Sequence, residues 1–295
     1  MANGTEHGPA VTGFFDPATN TVSYLVADSE SNAAAVIDPV LDFEPRSART
    51  STASADKILR AAAGLKIEWI LETHCHADHL TAALHIRERS GAKMGIGARI
   101  VDVQKTWKEI YNLEPSFAVD GSQFDHLFQD AERFKIGNLH AVAWSTPGHT
   151  PSCMTYIVRG KTGPACAFVG DMMFMPDYGT ARTDFPAGDA RKLYHSMQRV
   201  FELPPETRIF VCHDYMPNGR PLAFETTVEA QRRDNVHLKD NMTEDRFVGF
   251  RKERDKTLTA PNLILPAIQV NIRAGRMPPP EANGKVYLKL PLDTI

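Results

Sequence analysis

The sequence predicts a layered α/β protein whose sheets are covered by helices. Two observations lead there. Short apolar runs, many of them rich in β-branched and aromatic residues, recur between turn residues as far as His213. Stretches of helical composition stand between several of these runs and stop at glycine or proline. A chain of 295 residues that is 42% hydrophobic and 8% aromatic suffices for one large layered domain, or for a domain with an appended subdomain.

The elements follow in order. Residues 11–38 read as a meander of strands, with VTGFF, TVSYLVA and AAAVIDP split by DPATN and DSESN. Residues 56–63 have helical composition and end at Gly64, which tolerates the left-handed conformation of a helix C-terminus. IEWIL, residues 67–71, suggests a buried strand. Residues 80–89 return to helical spacing and stop at Ser90-Gly91, after which residues 93–96 suit a short strand. Further strands are expected at 139–144, 154–158, 165–169 and 208–212, with a helix over 189–201 halted by Leu203-Pro204-Pro205. Beyond His213 the character changes. Residues 224–240 look helical and charged, and residues 273–295 contain Met277-Pro278-Pro279-Pro280 and few helix formers. The expected division is a catalytic core over 1–213 and a C-terminal extension over 214–295, packed on that core.

Charge and cysteine usage narrow the function classes. Lys plus Arg is 33 and Asp plus Glu is 36, so a net charge of −3 draws the chain to neither nucleic acid nor anionic lipid. The densest charged run, residues 251–256, mixes both signs and reads as a solvated helix face. Four cysteines, Cys75, Cys153, Cys166 and Cys212, lack C-x-x-C pairs or the short spacings of a disulfide framework. The N-terminal stretch MANGTEHGPAVTGFFD has no leader pattern, and no apolar run reaches the length of a membrane span. A cytoplasmic protein is the expectation.

The most informative segment is Thr73-His74-Cys75-His76-Ala77-Asp78-His79, placed after the strand IEWIL and before a helix. Three imidazoles and a carboxylate so close together form a dense set of borderline metal ligands. In an extended loop His74 and His76 share one side, so Cys75 points away and is expected to pack. Other ligand-type residues stand in matching contexts. His149 follows the 139–144 strand through Ser-Thr-Pro-Gly, Asp171 follows 165–169 through Gly170, and His213 ends 208–212. Four apolar runs thus deliver such residues at their C-terminal ends, where open α/β sheets build sites. Taken alone, His213 reads as a capping residue, and His140, His195 and His237 lack this context.

THCHADH, TPGHT, Gly170-Asp171 and the late His213 resemble the metallo-β-lactamase superfamily over about residues 11 to 215. ARTDF (181–185), LYHS (193–196) and CHDY (212–215) are similar, more narrowly, to its persulfide dioxygenase branch. The resemblance implies an αββα sandwich of two mixed sheets flanked by helices, with a metal site on the rim between the sheets. It implies one Fe(II) per chain held by His74, His149 and Asp171, with His76, Asp78, His79 and His213 orienting those ligands and their neighbours. Homodimers are common in that branch. The stretch after His213, with Asn218-Gly219-Arg220-Pro221 near its start, is longer than the compact family pattern.

Two imidazoles and one carboxylate leave about three positions of an octahedral ion open, as in non-haem Fe(II) oxygenases. The implied reaction is oxidation of glutathione persulfide by O2 and water to sulfite and glutathione. Glutathione carries two carboxylates, so Arg182 and Arg220 are the preferred grips, because guanidinium binds carboxylate through two parallel hydrogen bonds. Asp184 offers Arg182 a competing partner. Tyr178 and Tyr215 are candidates for the pocket border. The competing reading is a dinuclear Zn(II) hydrolase of the glyoxalase II or lactonase type, since His74, His76, Asp78, His79, His149, Asp171 and His213 supply all seven positions for two metals. A third is a non-catalytic thiol or metal sensor.

Overall fold

Apolar side chains along residues 9–37 face two ways, and the computed structural model, which describes residues 8–294, shows what covers each face. Residues 1–7, the start of the stretch read above for a leader, and Ile295 lie outside the described residues. Strands β1 (Pro9–Asp16), β2 (Thr21–Asp28) and β3 (Ala33–Ile37) form the expected antiparallel meander. Strands β4 (Val40–Glu44) and β5 (Arg49–Ser51) then turn out of that sheet, and helix α1 (Ala53–Ala61) follows. The chain returns as β6 (Lys66–Leu71), parallel to β3.

The helix expected over 80–89 begins later. Leu80–Thr81 is a short strand, β7, paired with Val40 and Leu41 of β4. The reason is local: the Thr81 N–H donates to Asn271 Oδ1, and Thr81 Oγ1 accepts from Ala83 N, so the helix starts only after Thr81. Helix α2 (Ala83–Ser90) ends at left-handed Gly91, and β8 (Lys93–Gly97) extends the first sheet. Helix α3 (Ile100–Ile110) was not foreseen, although Ile100, Val103, Gln104 and Trp107 repeat at helical spacing and are buried. Strand β9 (His126–Phe128) completes a six-stranded sheet in the order β1-β2-β3-β6-β8-β9.

A second six-stranded sheet contains β10 (Glu132–Ile136), β11 (Leu139–Ser145), β12 (Met154–Arg159), β13 (Cys166–Phe168), β14 (Arg208–Phe210) and β15 (Glu225–Thr227) in chain order. Helix α4 (Ala190–Phe201) connects β13 to the parallel β14. Its N-cap Asp189 accepts from Arg191 N and Lys192 N, a device that contributes about 1 kcal/mol. The stretch expected to be helical over 224–240 instead opens with β15, then forms α5 (Val228–Asp234), because Thr227 Oγ1 caps the helix by accepting from Ala230 N. Helices α6 (Glu244–Asp255) and α7 (Ile264–Asn271) complete the regular structure.

Alternation within strands decides the layers. Val22, Tyr24, Val26, Ala35 and Ile37 point inward against Ala141, Ala143, Tyr156, Phe168 and Phe210 of the second sheet. Leu25, Ala34, Val36, Ile67 and Ile70 point outward beneath α1, α2, α3 and α7. Ile157, Ala167, Ile209 and Val211 lie on the far side beneath α4, Val228 and Phe247. The result is an αββα sandwich. The charged run 251–256 departs from its expected role: Arg251 and Asp255 are buried as an ion pair one helical turn apart, while Lys252, Glu253 and Lys256 face solvent. No helix among the described residues is long and apolar enough to cross a membrane.

Candidate metal centre

Ends of four strands converge at one rim of the sandwich. The loop after β6 carries His74, His76, Asp78 and His79; the turns after β11 and β13 carry His149 and Asp171; His213 follows β14. Each turn is fixed by close packing. A Cβ on Gly148 would lie 2.3 Å from Leu193 Cα, so only glycine lets α4 press on the turn that presents His149. Gly170 has φ of 54° and a Cβ there would meet Thr73 Oγ1 at 2.7 Å, which brings Asp171 beside His74.

The hydrogen bonds set which nitrogen each imidazole offers. His149 Nδ1 donates to the Arg182 carbonyl at 2.9 Å, leaving Nε2 as the lone pair. Thr73 Oγ1 donates to Asp38 Oδ2, so it accepts from His74 Nδ1 at 3.1 Å, and Nε2 is again free. These two nitrogens lie 3.5 and 3.7 Å from Asp171 Oδ2. His79 Nδ1 donates to Asp78 Oδ2 at 2.8 Å, and His76 Nε2 contacts Asp38 Oδ1 at 2.9 Å. His213 Nε2 stands 3.2 Å from Asp171 Oδ1 and 3.6 Å from Asp78 Oδ1.

Seven ligand-type residues thus meet, and six of them keep an inward atom that makes no hydrogen bond. His74 Nε2, His149 Nε2, His76 Nδ1, His79 Nε2, His213 Nε2 and Asp171 Oδ1 are all buried without a hydrogen bond. Leaving one such atom unmatched costs about 1–3 kcal/mol, so a cluster of them signals a ligand from outside the chain. The donor set fits a divalent metal ion. Ligand atoms of His74, His149 and Asp171 lie within 4.8 Å of one another, as do those of His76, Asp78 and His79. Burial, reinforced for His74 by neighbouring His76, holds the His74 and His149 imidazoles below their ordinary pKa, which keeps their lone pairs available. Burial opposes ionisation of Asp171 and Asp78, yet the surrounding imidazoles outweigh it and hold both carboxyls below the usual range. Cys75 packs beneath the helices, its thiol pushed up to about 12 by burial.

Two supporting residues gave no signal in the sequence. Asp38, at the end of β3 with φ of 49°, is buried and binds Thr73 N, Thr73 Oγ1 and His76 at once. Asn271, at the end of α7, donates from Nδ2 to the carbonyls of His76 and His79, both at 2.8 Å. Asn271 therefore pins the ligand loop from nearly 200 residues away. An Asp before a proline and an Asn inside an apolar helix look ordinary until the fold closes. His237, set aside in the sequence, packs away from the centre and accepts from Thr180 N at 2.9 Å.

A cavity of about 400 Å³ opens over His149, Asp171 and His213. Tyr178 and Tyr215 line it as a stacked pair, with ring centroids 4.5 Å apart, and Tyr215 stacks in turn on His213. Arg182 lines it too, but its guanidinium is committed to Asp184 through two bonds of 2.6 and 2.7 Å and to the Thr259 carbonyl. Arg220 is not among the lining residues. It bridges Asp177 and Asp214. The wall facing solvent comes from Arg254 and residues 258–263.

Comparison with known proteins places this geometry in a family. The pattern of the Metallo-beta-lactamase superfamily matches residues 16–213. A Burkholderia pseudomallei protein named "Probable metallo-hydrolase" is 53% identical over 97% of this chain and 99% of its own. Dictyostelium discoideum "Glyoxylase B2" is 50% identical over 93% of this chain and 94% of its own. The mitochondrial persulfide dioxygenase ETHE1 of Bos taurus is 32% identical over 90% of this chain and 89% of its own. The crystal structure of ETHE1 from Myxococcus xanthus superposes with a TM-score of 0.70 at 28% identity, covering 90% of this chain and all of that one. The chain belongs to the metallo-beta-lactamase superfamily, and its similarity to the persulfide dioxygenases supports that branch.

Proposed function

We propose that this metallo-beta-lactamase superfamily member is a mononuclear iron(II) persulfide dioxygenase that converts glutathione persulfide, O2 and water into sulfite and glutathione. The observation that carries the reading is the trio His74 Nε2, His149 Nε2 and the Asp171 carboxylate, grouped beneath a cavity. Similarity to persulfide dioxygenases over nine tenths of the chain supports the choice of chemistry. Two imidazoles and one carboxylate would hold iron, which when bound supplies redox chemistry suited to dioxygen and open positions for a soft sulfur anion.

The chain's own residues do the rest. Arg182 O and Thr73 Oγ1 lock the tautomers of His149 and His74, so both lone pairs point inward before any ligand arrives. His213 Nε2 stands 3.2 Å from Asp171 Oδ1 and steadies the carboxylate's negative charge. Phe174, Tyr178, Tyr215 and Phe185 wall the cavity with rings, which keeps bulk water from a reactive persulfide and holds the sulfur near the trio.

A specific observation favours a second reading. His76 Nδ1 and His79 Nε2 make no hydrogen bond, like the trio's nitrogens, Asp78 stands among them, and His213 Nε2 lies 3.6 Å from Asp78 Oδ1. That is a ligand set for a second ion, and relatives at 50% identity or more carry hydrolase or glyoxylase names. A dinuclear zinc hydrolase acting on a thioester would use it. Metal analysis joined to two assays separates the readings. One iron per chain with persulfide-dependent oxygen uptake is the expected result, lost together with the iron in His74→Ala, His149→Ala and Asp171→Ala. Two zinc ions with thioester cleavage selects the hydrolase, and no turnover of either substrate leaves a sensor.

A further inference from the structure

Three arginines line the cavity, Arg182, Arg251 and Arg254. Two of them are neutralised inside the protein. Arg182 is held by both oxygens of Asp184. Arg251, 1% exposed, pairs with Asp255 and donates to the Thr180 carbonyl, while its Nε stays buried without a partner. Arg254, half-buried and one turn earlier on α6 than the chain's exit toward Leu258, has no hydrogen bond or ion pair from its guanidinium among the described residues. Its charge is felt all the same. After burial, Arg254 is among the groups that hold the Arg251 guanidinium and the His237 imidazole below their ordinary ranges. A guanidinium that has no acidic partner in the protein gains a favourable one when an anion binds beside it.

We infer that Arg254 is the group that grips a carboxylate of the thiol substrate, making it a specificity-determining residue of this cavity. The inference rests on the reading of the site as a persulfide-processing centre, and it prefers Arg254 to Arg182, whose charge is paired with Asp184, and to Arg220, whose charge is paired with Asp177 and Asp214. Asn262 and Thr259 line the same cavity and carry polar side chains. The ligand class is a small thiol derivative bearing a carboxylate. An uncharged thiol lacks the partner that Arg254 calls for.

The test uses the iron-loaded full chain and S-methylglutathione, which keeps both carboxylates but has no free thiol. Titration calorimetry on wild type, Arg254→Ala and Arg254→Lys is the first measurement. The expected result is affinity weakened roughly ten- to a hundred-fold in Arg254→Ala, the scale of a charge-assisted hydrogen bond. Arg254→Lys should fall between, because it keeps the charge and loses the fork. Iron content and melting temperature should match wild type, and the diester of S-methylglutathione should bind all three proteins alike. Unchanged affinity in Arg254→Ala overturns the inference, and so does absence of measurable binding by wild type. Oxygen uptake with glutathione persulfide is measured alongside on wild type. Failure of that uptake, with S-methylglutathione binding still sensitive to Arg254, sinks the dioxygenase reading and leaves the carboxylate grip standing.

Discussion

The floor and the wall of one cavity treat buried polar groups in opposite ways. On the floor, His74, His76, His79, His149, His213 and Asp171 each keep an inward atom that makes no hydrogen bond. On the wall, the charges of Arg182 and Arg251 are matched by Asp184 and Asp255, and Thr183 N and Oγ1 both donate to Asp255 Oδ2. The floor therefore gives up folding stability to hold something from outside the chain, while most of the wall is self-satisfied structure. The contrast teaches which charged residues to suspect of binding: those that the protein itself leaves unmatched.

Breaking the wall should produce the largest effect. Asp255→Ala strands the buried Arg251 guanidinium and removes the acceptor of Thr183, so unfolding stability should drop by about 3–5 kcal/mol. Denaturant titration checks this. The double change Arg251→Met with Asp255→Leu should recover most of the loss, since no charge remains unpaired. An Asp255→Ala protein as stable as wild type would remove the wall from the comparison.

Within the floor, His213→Ala sharpens the distinction between residues that hold metal and residues that steady the holders. His213 faces Asp171 at 3.2 Å, and changes of this kind cost about 10 to 100-fold in activity or metal affinity. Iron retained at one per chain with a rate reduced on that scale is the expected outcome, measured by elemental analysis and oxygen uptake. Loss of one metal from a pair would move His213 into the ligand set and favour the hydrolase.

The last test concerns His237, a buried imidazole that accepts from Thr180 N and that burial, Arg251 and Arg254 push down to about 3. Its folded pKa lies below the unfolded value, so the unfolded chain takes up the proton first. Its stabilising share is full above about pH 6.5 and shrinks as pH falls toward 3, by at most about 1.4 kcal/mol per pH unit. Melting temperature measured from pH 7 to pH 4 should fall less steeply in His237→Gln than in wild type. Parallel slopes would show that His237 titrates alike in both states.

Much of this was legible before the chain was folded. The H-x-H-x-D-H run, and the placement of His149, Asp171 and His213 after apolar strands, pointed to the cluster of groups that could hold a metal, because ligand chemistry and strand ends are local properties of sequence. The same is true of β3, β6, β11 and α4, whose apolar runs and stops need no partner to be read. What only the tertiary structure decided is how those groups are satisfied. Asp38 and Asn271 became supports of the ligand loop because β3 and α7 happen to end beside it, and neither residue differs locally from an ordinary turn Asp or helix Asn. Leu80–Thr81 became a strand because β4 and Asn271 claimed its backbone. In the sequence Arg182 already had Asp184 as a competing partner and Arg220 had none in view; the fold pairs Arg182 with Asp184 and Arg220 with Asp177 and Asp214. Residue type and spacing fix what a side chain can bind, but whether that capacity remains open depends on which neighbours, distant in the chain, reach it first.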